Sequence, residues 1–218
     1  MKGLFVTGTD TDVGKTWVGT QLIKSLKARN VNVKPRKPIE SGWPDSENIQ
    51  STDSWKLSEA ADCINSINIV CPNRFSTPVS PVRAARIASK KLTISTVKQQ
   101  CLSGITEDDF LYVEGAGGFY SPFVEDGLNA DLASQLSLPV VLIANNKLGC
   151  ISQVLLCCGA RQRRQLNLRA VILNQVDPNT NVQAMNNQED IAEYINQPVF
   201  SLRHEQDDLP APLIDLLY

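Results

Sequence analysis

A doubly wound α/β fold, a mostly parallel sheet flanked by helices, is what these 218 residues predict. Three observations predict it. Short apolar runs alternate with stretches of helical periodicity along the chain, the pattern of strands covered on both faces by helices. The first run, Leu4-Phe5-Val6, passes directly into Gly8-Thr9-Asp10-Thr11-Asp12-Val13-Gly14-Lys15-Thr16. That stretch is a phosphate-binding loop handing a strand to a helix, which makes the fold the P-loop NTPase type. The loops after Val6, Val33 and Val113 all fall at the carboxyl edge of the sheet, where such folds bind ligands. Repeats, low-complexity tracts and linkers are absent from the sequence, so residues 1–218 read as a single domain.

Taken in order, Gly3 to Thr7 is a buried strand, and Lys15 to Arg29 is a helix with Val18, Leu22 and Leu26 on one face. Val31 to Lys37 is a second strand. Residues 39–52 are polar and turn-rich and predict a surface loop, after which Asp53 opens a helix towards Ala61. The stretch from Ile67 to Ser80 reads as irregular because of its prolines. Helices follow at Val82–Ser89 and Ile94–Leu102, then a buried strand at Phe110–Val113 ending in Glu114-Gly115-Ala116-Gly117-Gly118. Ala130–Leu136 is a helix and Val140–Ala144 a strand. Ile151, Val154, Leu155 and Cys158 mark an apolar helix face. A strand at Ala170–Leu173, a helix at Asn187–Ile195, a strand at Pro198–Leu202 and a helix at Leu213–Leu217 complete the chain.

Composition excludes several function classes. A net charge of −2 argues against a nucleic-acid surface. The one dense basic cluster, Arg161-Gln162-Arg163-Arg164, suits a helix carboxyl end. No apolar run is long enough to span a membrane, and the strand beginning near Met1 leaves no room for a signal peptide. Six scattered cysteines and one histidine argue against zinc and predict free thiols in a reducing cytoplasm. With His204 alone, and that in a late polar segment read as surface, a hydrolase triad has no base.

The chemistry gathers around the loop. Lys15 reaches terminal phosphates, and the Thr16 hydroxyl is an oxygen ligand for Mg²⁺. Glu114 stands at a strand end where a metal-binding carboxylate belongs, and burying it there demands a charged partner. Asp53 is either a second metal ligand or a helix cap. Lys37, held extended by Pro38, is either a cation for a transferring phosphoryl group or a surface lysine. The glycines at 115, 117 and 118 bare the backbone to an anion or a small substrate, or simply make a turn. Asn174 either reads an adenine edge or belongs to the turn with Asp177-Pro178.

Five residues separate Gly8 from Gly14, one more than in the ordinary loop. With Thr7–Thr16, Lys37-Pro38, Ser41-Gly42, Glu114–Gly118 and Lys147-Leu148-Gly149-Cys150-Ile151 in this order, the chain resembles the dethiobiotin synthetase family over nearly its whole length. The resemblance is looser at residues 55–105 and after 180. It implies an ATP- and Mg²⁺-dependent ring closure that turns 7,8-diaminopelargonic acid and CO₂ into dethiobiotin, with ADP and phosphate released. A carbamate and then a carbamic–phosphoric anhydride are the implied intermediates. It further implies catalytic roles for Lys37, Lys15 and Thr11, and a metal held by Thr16, Asp53 and Glu114. ATP contacts fall on Asp12, Val13, Gly14, Lys15, Thr16, Glu114, Asn174, Ser201 and Leu202. Contacts to the diamine fall on Lys37, Ser41, Gly117, Gly118, Cys150 and Ser152. A homodimer is implied, with the substrate tail near the subunit boundary, and an asparagine where this chain has Ser152. Two rival readings are weaker. A partitioning or metal-chaperone switch ATPase carries an early loop lysine that Thr9–Val13 lack, and a cobalamin-type amide synthetase needs a glutaminase domain for which the chain is too short.

Overall fold

A computed structural model describes residues 1–44 and 46–218. β1 (Lys2–Gly8) leads through the loop into α1 (Lys15–Ala28), followed by β2 (Val33–Arg36) and β3 (Ile39–Ser41). A 3-10 turn at Ser46–Ser51 precedes α2 (Asp53–Ala60), α3 (Ile67–Val70) and β4 (Asn73–Phe75). Next come α4 (Pro81–Ile87), α5 (Ile94–Leu102), β5 (Phe110–Gly118) and the hairpin β6 (Pro122–Val124) with β7 (Gly127–Leu128). The chain continues through α6 (Asn129–Leu136), β8 (Val140–Asn145), α7 (Cys150–Arg163) and β9 (Leu168–Asn174). It closes with α8 (Val182–Met185), α9 (Asn187–Ala192), β10 (Val199–Leu202) and α10 (Ala211–Leu217).

Six strands form one sheet in the order β10-β9-β8-β1-β5-β2, and every neighbouring pair is parallel. The two-residue period of each strand builds two cores. Leu4, Val6, Phe110, Tyr112, Val141 and Ile143 face the layer of α1, α2 and α10. Phe5, Leu111, Val113, Leu142 and Leu173 face the layer of α5, α6, α7 and α9. Strand order reverses about β1, since β2 lies beyond β5 on one side while β8, β9 and β10 extend on the other. The crevice at the carboxyl end of β1 is therefore the ligand-binding switch point of this sheet.

Four local expectations are corrected. Residues 39–41 form a strand, paired in parallel with β4, inside a stretch expected to be loop, and 67–75 holds a helix and a strand where irregular chain was expected. Pro72 and Pro78 bracket β4 and mask its signal. β2 stops at Arg36 because Pro38 has no N–H to offer and the Lys37 N–H turns to the Val70 carbonyl. β5 runs on through its glycines to Gly118, so Glu114 lies within the strand and pairs with Val6 of β1.

Candidate active site

Gly14 turns the chain from loop into α1 in the left-handed region, at φ 90°. A Cβ there would lie 2.1 Å from the Asn174 amide nitrogen, so sterics and dihedral both require glycine. α1 has no side-chain cap, which leaves its first N–H groups directed into the loop as an anion site. The Lys15 ammonium folds back to the Asp10 carbonyl at 2.8 Å. Burial, with repulsion from Lys37, lowers its pKa to about 8.

Thr16, Lys37, Asp53 and Glu114 converge beside this loop. The Lys37 ammonium, buried just beyond β2, lies 2.6 Å from Glu114 Oε1 and 2.9 Å from Asp53 Oδ2. The Thr16 hydroxyl donates to the same Glu114 Oε1 at 2.8 Å. Burial alone would depress the Lys37 pKa, but Asp53 and Glu114 outweigh it and hold the ammonium above its ordinary range. Lys37 in turn pulls the Asp53 carboxyl below the usual value. Lys37 is thus a buried bridge and not the surface lysine of its alternative reading.

Asp53 is likewise no helix cap. Thr52 caps α2, its hydroxyl accepting from the Trp55 N–H at 3.2 Å. The Glu40 carboxylate accepts the N–H groups of Asp53 at 2.7 Å and Ser54 at 3.1 Å, and the Ser54 hydroxyl at 2.6 Å. With the helix end satisfied by others, the Asp53 carboxylate is released to face Lys37. The remaining Glu114 oxygen, Oε2, accepts the Tyr112 hydroxyl at 3.1 Å. The oxygens of Asp53 and Glu114 already meet one cation, the Lys37 ammonium, and the Thr16 hydroxyl joins them through Glu114 Oε1; this hard, all-oxygen donor set fits Mg²⁺.

Other predicted residues take different places. Asn174 is buried and donates to the Val13 carbonyl at 3.2 Å, so it braces the phosphate loop rather than a turn with Asp177. Asp12 is exposed in a left-handed conformation, at φ 53°, and Thr11 is exposed with its N–H on the Asp10 carboxylate. Ser41 ends β3 half-buried. The Gly118 N–H, expected to be bare for substrate, is taken by the Ser121 hydroxyl at 2.8 Å, and its carbonyl by Asn129 at 2.9 Å. Cys150 is buried at the start of α7, and the exposed Ser152 hydroxyl donates to the Gly149 carbonyl at 3.0 Å. Ser201 accepts from Asn146 at 3.1 Å and lines a 480 Å³ cavity walled by carboxamides such as Asn187 and Gln188. The Leu202 side chain is buried in the core on the α1 side. Strand alternation in β10 therefore sets the two side chains on opposite faces of the sheet, Leu202 in the core and Ser201 at the cavity.

Sequence reasoning missed Glu40, hidden in a run read as polar loop, and Tyr112, read only as core. The period of two in β5, which puts Tyr112 and Glu114 on one face, is the signal that finds Tyr112. His204, a third exposed, is at the surface as expected, where with Trp17, Asn174, Gln175 and Glu205 it lines a 170 Å³ cavity against Gly14.

A protein-family model described as an AAA domain matches residues 2–208. The "ATP-dependent dethiobiotin synthetase BioD" of Vesicomyosocius okutanii is 37% identical over 197 residues, covering 90% of this chain and 87% of that protein. The protein of the same name from Anaeromyxobacter sp. (strain K) is 34% identical over 208 residues, 95% of this chain and 92% of its own. Among solved structures, the signal recognition particle receptor FtsY from Elizabethkingia anophelis superposes with a TM-score of 0.53 at 15% identity, over 99% of this chain and 64% of FtsY. That last likeness is one of fold alone.

Proposed function

Because the chain belongs to the ATP-dependent dethiobiotin synthetase family, and is an ATP-dependent ligase of dethiobiotin synthesis, we propose that it closes the ring of a diamine through a carbamate and a carbamic–phosphoric anhydride. The observation that carries this reading is Lys37, a buried cation poised 2.6 Å and 2.9 Å from two carboxylates beside the phosphate loop. A plain nucleotide switch has no need of a second lysine there; a carbamate oxygen meeting a γ-phosphate does.

In this reading the first amine of diaminopelargonate bonds to CO₂ and loses a proton. The resulting carbamate oxygen attacks the γ-phosphorus, and ADP leaves. The second amine then attacks the carbonyl carbon and gives up a proton, phosphate is expelled with the C–O electron pair, and the ring closes. The loop N–H groups and Lys15 hold the β- and γ-phosphates, while Lys37 neutralises the oxygens of carbamate and transferring phosphoryl group. Thr16, Asp53 and Glu114 would hold Mg²⁺, which supplies charge neutralisation on the phosphates when bound. Ser41 and the backbone at Gly117 orient the diamine, and the tail carboxylate meets the start of α7 near Cys150 and Ser152. Thr11, at the mouth of the loop, lies close to Gly117 and serves the same end.

We read the working form as a cytoplasmic homodimer. Leu156 on α7, 74% exposed, and Leu148 just before that helix, 88% exposed, support a covered surface there, and among the described residues no helix is long and apolar enough to cross a membrane. The test is phosphate release by purified protein with ATP, Mg²⁺ and bicarbonate, with and without diaminopelargonate. Release that depends on the diamine, with dethiobiotin formed, is expected. Hydrolysis indifferent to the diamine would overturn the proposal in favour of a switch ATPase.

A further inference from the structure

Glu114 is wholly buried, and its two oxygens have separate duties. Oε1 faces the site, accepting from Lys37 at 2.6 Å and from Thr16 at 2.8 Å. Oε2 faces inward and, among the described residues, accepts the Tyr112 hydroxyl alone, at 3.1 Å. Tyr112 precedes Glu114 by two residues on β5, so both side chains project towards α1. Its ring is fully buried among Leu4, Val18 and Leu22 on that face.

The hydroxyl is accommodated at the expense of the helix. Gly19 sits inside α1, where glycine is a poor helix former. A Cβ at Gly19 would lie 2.0 Å from the Tyr112 hydroxyl oxygen and 2.8 Å from the ring carbon bearing it. The helix interior thus carries a glycine at the point where the phenol needs room. A phenylalanine would fill the apolar part of this slot equally well; the oxygen serves the carboxylate. A buried carboxylate oxygen without a donor is costly, and its side chain turns to find one.

We propose that Tyr112 is a positioning residue for the reaction: its hydroxyl, set in the slot that Gly19 leaves, fixes the Glu114 carboxylate so that Oε1 is presented to Thr16, Lys37 and the metal. This rests on the reading of Glu114 as a metal and phosphate-site carboxylate. Groups that hydrogen-bond a ligating carboxylate typically change metal affinity or activity about 10–100-fold when removed.

The experiment reads Mn²⁺ binding to the ADP complex by electron paramagnetic resonance in wild type, Tyr112→Phe, Glu114→Ala and the double variant. ADP binding in EDTA is measured beside it. Tyr112→Phe is expected to weaken Mn²⁺ about tenfold and to lower kcat more than it raises KM for the diamine, with metal-free ADP binding unchanged. In the Glu114→Ala background it should add no further loss. Wild-type Mn²⁺ affinity in Tyr112→Phe, or the same loss with and without Glu114, overturns the proposal. If Tyr112→Phe fails to bind metal-free ADP, Gly19→Ala, which crowds the hydroxyl without deleting it, is read instead: weakened Mn²⁺ supports the proposal and unchanged Mn²⁺ overturns it. A wild-type protein that makes no dethiobiotin would sink the activity reading alone, because the Mn²⁺ comparison stands without turnover.

Discussion

At the residue scale the two lysines divide the work, and each division is measurable. Lys37 is buried against Glu114 and shares Asp53, so its removal strips a paired carboxylate of its cation. Lys37→Ala should lower kcat by about 100-fold or more while ATP affinity changes little. It should also cost about 3 kcal/mol in urea unfolding, the order expected for breaking a buried pair. Equal losses of kcat and ATP affinity would reduce Lys37 to a nucleotide contact. Lys15 differs, because burial and Lys37 bring its pKa down to about 8 in the free protein. Phosphate restores the ammonium, so binding at pH 8 takes up a proton and ATP affinity declines as pH rises through that value. Titration calorimetry at pH 8 in two buffers of different ionisation enthalpy should show an uptake of about half a proton per site. That uptake should be missing in Lys15→Met, which also subtracts the titration of ATP itself; identical uptake in both proteins would refute the assignment. Lys15 was legible from the loop motif, whereas the place of Lys37 before Pro38 left it open between a site cation and a surface lysine until the family resemblance favoured the first. Tyr112 was not legible, because an aromatic residue within an apolar strand reads as core, and core it is except for one oxygen.

At the scale of elements, the start of α2 decides whether Asp53 serves the helix or the site. Thr52 and Glu40 supply the helix end between them, and Asp53 is left for Lys37. Glu40→Ala should destabilise the fold by about 1–3 kcal/mol and also depress turnover, since the N–H that Glu40 holds belongs to Asp53 itself. Thr52→Ala should cost about 1 kcal/mol with turnover nearly intact. Denaturant midpoints and kcat for the two variants check this. Equal turnover in both would mean that Glu40 is only a cap. The sequence concealed this arrangement for a physical reason. Residues 39–41 are a three-residue strand whose partner, β4, lies between two prolines, and pairing at such a distance leaves no local period to read. By contrast β1, α1, β5, β8 and β9 were legible, because each is a long run whose apolar period matches the layer it packs against.

At the scale of the molecule, parallel pairing about β1 brings residues from Thr16 to Glu114 to one edge, and the most exposed large apolar residues among those described, Leu148 and Leu156, lie at α7. Ser152 and Leu156 are four residues apart in α7 and share a face of that helix, and Leu148 lies just before it, ahead of the Gly149 cap. Two of the three are large, apolar and strongly exposed, at 88% for Leu148 and 74% for Leu156. The same face carries the helix start that the proposed chemistry assigns to the substrate tail. Covering it with a second copy of the chain answers both demands, and two-fold dimers are the commonest closed assembly. Wild-type protein should therefore elute at twice the mass of one chain by light scattering. Leu156→Asp, which places a charge on the shared face without touching the phosphate loop, should elute as a monomer, bind ADP as the wild type does and show a raised KM for the diamine. A monomeric wild type at assay concentration would refute the dimer. A monomeric Leu156→Asp with wild-type KM would separate the two claims, leaving the interface intact as a proposal and removing the substrate tail from it.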